Sequence, residues 1–194
     1  TGFILRQSAE YASEKWTATQ LLDAAYGLNF QEGIVRKIDD KLEYNVRLDH
    51  ILSGQPLWKL SGFGSFKTQW YRGYAKPEDP DTAYVSRFMA PAYGIAGLGV
   101  THKDDFMELY FSPLTAKYTL VLDPRLQNQG AFGLTSGQAL RQEMGAYMNL
   151  RFKRNFPNKL AVDVRTNLFG NYLAAPFSVD IDADILVVYK ATNH

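Results

Sequence analysis

The residues of this 194-residue chain that could do chemistry fall into three groups. The first is three histidines, His50, His102 and His194. Each stands near an expected turn or the chain end, with no serine beside it in a base–nucleophile arrangement, so acyl-transfer or hydrolytic chemistry has little to work with. They read as solvated turn residues. The second group is Asp180, Asp182 and Asp184, whose alternate spacing on an extended strand converges three carboxylates on one face. Such a row could hold calcium, but it lacks the turn glycine and mixed oxygen ligands of a calcium loop, so neutralisation by neighbouring Lys and Arg is the stronger reading. There are no cysteines, which removes thiolate metal sites, disulfides and a cysteine nucleophile. No catalytic, cofactor-binding or metal-ligating residue is assigned, and enzyme activity is not expected.

The third group is the largest: Lys, Arg, Asp and Glu recurring at every second position. On one parity stand Arg6, Lys41, Arg47, Lys59, Lys67, Lys117, Arg141, Arg151, Lys153, Arg165 and Lys190. Interleaved with them are Glu10, Asp23, Glu43, Asp49, Glu108, Glu143, Asp163, Asp180, Asp182 and Asp184. The two sets nearly cancel, matching a net charge of +1 that gives no field to attract nucleic acid. Opposed charges on adjacent strands interact. A three-residue hairpin loop at Phe156–Asn158 would set Arg151 opposite Asp163, and a loop centred near Gly54 would pair Asp49 with Lys59.

The elements that must position these charges are strands. Period-2 alternation marks nine candidates, at 2–12, 16–30, 38–51, 58–71, 87–101, 106–121, 140–156, 159–172 and 179–190. Between the charges lie Leu5, Leu22, Ala24, Leu42, Val46, Leu48, Leu60, Met148, Leu150, Val164, Ile181, Ile185 and Val187. Residues 87–101 are apolar on both parities, so their orientation is unreadable. In 106–121 the apolar parity slips beside Ser112-Pro113, which predicts a β-bulge.

Several of these runs exceed the roughly 5–6 residues usual in soluble sheets and suit a tilted strand that crosses a bilayer. The links alternate in length. Short ones at Ser13–Lys15, Ser53–Leu57, Lys103–Asp105 and Phe156–Asn158 separate longer ones at Gln31–Arg36, Arg72–Ser86, Asp123–Ala139 and Leu173–Ser178. Short turns on one rim and long loops on the other are the habit of up-and-down outer-membrane barrels. Aromatics gather at both ends of the runs: Tyr11, Trp16, Trp58, Phe106, Phe156 and Tyr189 near the short turns, and Phe3, Phe30, Trp70, Tyr71, Phe88 and Tyr172 near the long loops. That placement predicts two interfacial girdles. No apolar stretch approaches the roughly 20 residues of a membrane helix, but a spanning strand shows lipid only every second side chain, which lowers its mean hydropathy.

Five segments carry a family resemblance: KIDDKLEY (37–44), FMAPAYGIAGLG (88–99), LYFSPLTAKYTLVLD (109–123), GAFG (130–133) and LFGNYLAAPFSVDIDADILVVYK (168–190). Together, over about residues 20–190, they resemble the Bacteroidetes outer-membrane β-barrel family known only by a domain-of-unknown-function label. The SPLT and Leu-Phe-x-Asn-Tyr-Leu segments are the specific ones. The chain departs from the family pattern at Gly170, at Ala174-Ala175-Pro176 and at Ala183, positions in a loop or facing lipid. The resemblance also implies strands before Thr1 and beyond His194, hence a barrel of about twelve strands, of which about nine lie here.

The expectation is therefore an all-β, antiparallel, up-and-down transmembrane β-barrel in the outer membrane of a Gram-negative bacterium, with residues 1–194 forming a single domain. Its apolar stripe would meet the lipid bilayer, and its ionic stripe would fill the lumen as a mesh of ion pairs. The chain opens TGFILRQSAEY, without a secretory signal, so either one was removed or the chain is a fragment. The expected role is non-enzymatic, a structural or accessory subunit docking to an outer-membrane or periplasmic protein complex, with no nucleic-acid partner. The long loops Arg72–Ser86, with Lys76, Glu78, Asp79, Asp81, Tyr74 and Tyr84, and Asp123–Ala139 are where recognition would sit, the first reading equally as a docking loop or as a plain solvated one. Alternatives are a narrow channel for a small polar solute and a soluble lipocalin-like barrel with its apolar residues around a ligand.

Overall fold

The computed structural model describes residues 1–31, 34–75, 83–157, 159–173 and 179–189. Its strands are β1 (Gly2–Ala12), β2 (Trp16–Gln31), β3 (Ile34–Leu52), β4 (Gln55–Thr68), β5 (Gly73–Tyr74), β6 (Tyr84–Ser86), β7 (Ala92–Lys103), β8 (Met107–Leu120), β9 (Leu140–Asn155), β10 (Leu160–Asn171) and β11 (Val179–Tyr189). Nine of them form one antiparallel sheet in the order β1-β2-β3-β4-β7-β8-β9-β10-β11, a meander in sequence order, and β5 pairs with β6 apart from it. A short helix α1 (Pro124–Asn128) and a 3₁₀ turn (Ala131–Gly133) lie between β8 and β9. Among the described residues β1 and β11 form the sheet's two edges, and no pairing closes it into a barrel. The all-β class and the nine long antiparallel strands read from alternation are present, and among the described residues barrel closure is not.

The sheet curls. Strands lie about 4.8 Å apart, so a flat sheet would hold β4 and β9, three steps apart, about 14 Å from one another. Instead the rings of Phe63 and Tyr147 meet at 5.3 Å. Arg47 on β3 likewise reaches Glu108 on β8 at 2.9 Å, and Lys117 on β8 reaches Asp180 on β11 at 3.1 Å. All of these side chains belong to the charged parity, which is therefore the concave one. The convex face carries the other parity: Leu98 is 62% exposed, its cross-strand partner Leu114 53% and Ile185 69%. Leu150 and Val164 share the convex side, with Arg151, Asp163 and Asp184 on the concave side.

Register departs from expectation at both turns where a pairing was assigned. Arg151 stands opposite Arg165, and Asp163 opposite Lys153. The Phe156 amide donates to the Leu160 carbonyl at 2.8 Å and Lys159 takes up the left-handed region at φ 63°, so the hairpin turns one residue later along the chain than the loop at Phe156–Asn158 supposed, which slides the register by two. At the Gly54 turn Asp49 faces Ser61, and Lys59 faces Ile51, because the register shifts between Ile51 and Leu52. Pro56, which has no amide hydrogen to donate to the ladder, lies in the stretch of β4 taken up by that shift. The bulge expected at Ser112-Pro113 is present as a register shift between Ser112 and Thr115. The link expected at Gln31–Arg36 is instead largely strand, since β2 and β3 continue to Gln31 and Ile34 and pair there.

Candidate functional site

The concave face is built from residues two apart on successive strands, which brings opposite charges side by side. Asp23 is 6% exposed and accepts from Arg6 on β1 at 2.9 Å and from Lys41 on β3 at 2.7 Å. Arg47 holds a second centre: its guanidinium donates to Asp49 at 3.0 Å, Glu108 at 2.9 Å and Thr101 at 2.7 Å. Ser61 donates to Asp49 at 2.6 Å and shares a 2.7 Å hydrogen bond with Thr101. Lys103 adds a contact to Glu108 at 3.1 Å. A planar guanidinium with three partners leaves little cationic capacity unspent. Arg141–Glu143, Arg165–Asp163 and Lys117–Asp180 extend the pairing, as expected for the ionic stripe.

Beside Arg47 lies an aromatic group that alternation did not single out. Phe63, Tyr110 and Tyr147 occupy the charged parity of β4, β8 and β9, with Phe63 edge-on to Tyr110 at 5.3 Å and tilted against Tyr147 at the same separation. Gly97 makes room for it: a Cβ there would lie 2.6 Å from the Phe63 ring and 2.7 Å from the Thr115 hydroxyl. A cavity of about 530 Å³ opens in front of the rings, walled also by Ser8, Glu10, Thr19, Asn45, Arg47 and Asn149. The signal in the sequence was three large aromatics falling on the polar parity.

At the long-loop end, residues 123–139 fold back over Val121. Ala90, Val121, Leu126 and Leu134 are buried together, with Tyr84, Ala131 and Phe132 packed on them. Asp123 is the hub: it caps α1 by accepting from the amides of Arg125 and Leu126, and it accepts from the Tyr84 hydroxyl at 2.9 Å and from Arg87 at 3.0 Å. The Arg72 and Arg125 guanidiniums flank the Tyr84 ring at 5.1 and 4.8 Å. Burial pushes the Asp123 carboxyl up, but the Leu126 amide, the Tyr84 hydroxyl and Arg87 outweigh it and hold it below the usual carboxylate value. Thus the two loops expected to carry recognition are tied to one another through Tyr84, Arg87 and Asp123. Lys76, Glu78, Asp79 and Asp81 lie outside the described residues.

Two of the three histidines, His50 and His102, are not turn residues. His50 and His102 sit within β3 and β7 on the convex side of the short-turn rim, stacked on Trp16 at 4.4 Å and on Trp58 at 4.8 Å. Tyr11, Trp16, Trp58, Phe106 and Tyr189 are exposed near that rim, and Arg154 lies over both Phe106 and Phe156. Phe3, Phe30, Trp70, Tyr71, Phe88 and Tyr172 are exposed toward the other. Asp180, Asp182 and Asp184 share the concave parity, with Lys117 on Asp180, Asn167 near Asp182 and Arg165 opposite Asp184. His194 and Lys190 lie outside the described residues.

Residues 1–74, which span β1 to β5, match the family model described as a protein of unknown function (DUF3078). Of the five segments that carry the resemblance, only KIDDKLEY falls within this match. No curated protein and no solved structure matches the chain. A domain of unknown function over residues 1–74 is what the chain shares with known families.

Proposed function

We propose that this chain forms the wall of a transmembrane β-barrel in the outer membrane of a Gram-negative bacterium of the Bacteroidetes kind. There it serves without enzymatic chemistry as a structural or accessory subunit that docks to outer-membrane or periplasmic proteins. The observation that carries this reading is the inverted polarity of the sheet. Leucines and isoleucines stand exposed on the convex face, whereas Ser61 and Thr101 on the concave face are each 1% exposed. An exposed apolar surface of this extent needs a nonaqueous neighbour, and the ionic stripe satisfies itself inside the curl. The same polarity is the reverse of a lipocalin-like barrel, whose apolar residues face inward. Exposed tryptophans and tyrosines toward both rims suit the two interfaces of a bilayer.

Two measurements test the reading. Washing native membranes with alkaline carbonate should leave the protein in the pellet, and its appearance in the wash would end the integral-barrel assignment. Co-purification after gentle detergent extraction should recover stoichiometric partner proteins, and a solitary monomer would remove the accessory role. The cavity before Phe63 favours, as a second reading, a narrow path for a small polar solute. Planar-bilayer recordings without steady current would dismiss it.

A further inference from the structure

The geometry points to a binding site for a neutral pyranose sugar on the concave face, in the cavity walled by Phe63, Tyr110, Tyr147, Asn45, Asn149 and Glu10. At about 530 Å³ the cavity falls in the size range of small-molecule sites. Its floor is apolar and flat-sided, since three rings from three strands converge there, and a ring face suits the CH face of a sugar.

The polar wall selects the class. Asn149 donates an amide hydrogen to Asn167 at 2.7 Å, and Asn45 donates one to Glu43 at 2.9 Å. Among the described residues neither amide oxygen accepts a hydrogen bond, so both can accept one from a ligand. Glu10 adds a carboxylate, Ser8 and Thr19 add hydroxyls, and the Tyr110 hydroxyl is buried without any hydrogen-bond partner among the described residues. A wall rich in acceptors matches a ligand rich in hydroxyl donors. An anion is disfavoured, because Arg47 is already engaged by Asp49, Glu108 and Thr101 while Glu10 stands nearby. An organic cation is disfavoured as well, because the Arg47 guanidinium already lies 5.8 Å from the Tyr110 ring. The site uses the concave side alone, so it does not depend on what covers the convex face.

Calorimetric titration of the detergent-solubilised chain with glucose, maltose and cellobiose tests the assignment, with choline and inorganic phosphate as competing probes. At least one sugar should give saturable heat in the millimolar range or tighter. Tyr147→Leu should weaken that sugar by about tenfold, the loss of one aromatic contact. Glu10→Gln, on an exposed edge-strand side chain whose change leaves folding intact, should weaken it several-fold. The site is refuted by absence of saturable heat with all three sugars, by tighter binding of choline or phosphate, or by sugar binding that both variants leave unchanged.

Discussion

Introducing an arginine on the convex face at two depths separates a lipid-facing wall from a water-facing one. Leu98 lies mid-strand on β7 and is 62% exposed, while Leu109 faces His102 near the short-turn rim. Four residues separate the levels of Leu98 and His102 along β7. At about 3.3 Å per residue and a tilt of about 40°, that is roughly 10 Å of depth. In a bilayer an arginine near the midplane costs about 2–4 kcal/mol and one near the interface about 0–1 kcal/mol. Leu98→Arg should therefore destabilise by about 2–3 kcal/mol more than Leu109→Arg, a factor of about 30–150 in the folding equilibrium. Urea titrations of folding into phospholipid vesicles, followed by tryptophan fluorescence, read this difference. In water an exposed substitution at Leu98 stays within about 0.5 kcal/mol. Equal costs at the two positions, or a Leu98→Arg variant as stable as the parent, would refute the lipid-facing assignment.

Three further outcomes follow from the concave face and its loop cap. Asp123→Ala deprives α1 of its cap and leaves Tyr84 and Arg87 unanswered, so the cap should loosen by about 1–2 kcal/mol, read as faster amide exchange over residues 124–139. The folded carboxyl of Asp123 lies below its unfolded value of about 4. Its contribution is therefore full above that pH and is lost as the pH falls through the folded value, so the protection of the cap amides, taken relative to their intrinsic exchange rate at each pH, should be unchanged between pH 7 and 5 and fall only under stronger acid. Gly97→Val places side-chain carbon where the Phe63 ring and the Thr115 hydroxyl now lie, and should cost about 1–3 kcal/mol in a denaturant titration.

Alternation every second position is a property of the extended backbone itself, so Leu48 against Arg47, or Ile185 against Asp184, could be assigned to opposite faces before any pairing was known. The same alternation marked most strand limits to within a few residues and located the bulge beside Pro113, because a parity slip is local. Residues 87–101 resisted it, since Gly97 and Gly99 sit on the concave parity and offer no polar side chain to mark it.

What alternation could not supply is anything set by distance along the chain. Register depends on where each turn falls as well as on its width, and closing the hairpin between Phe156 and Leu160, one residue later than supposed, moved Arg151 from Asp163 to Arg165. Curvature brought Phe63, Tyr110 and Tyr147 together from three strands, and chain folding beyond β8 delivered Asp123 to Tyr84 and Arg87. The pattern of polarity along each strand was thus determined by the sequence alone, because it follows from backbone geometry. Which side of the curl each stripe occupies, and which residues meet across it, was decided only by the tertiary structure, because both depend on how far a sheet of many strands bends.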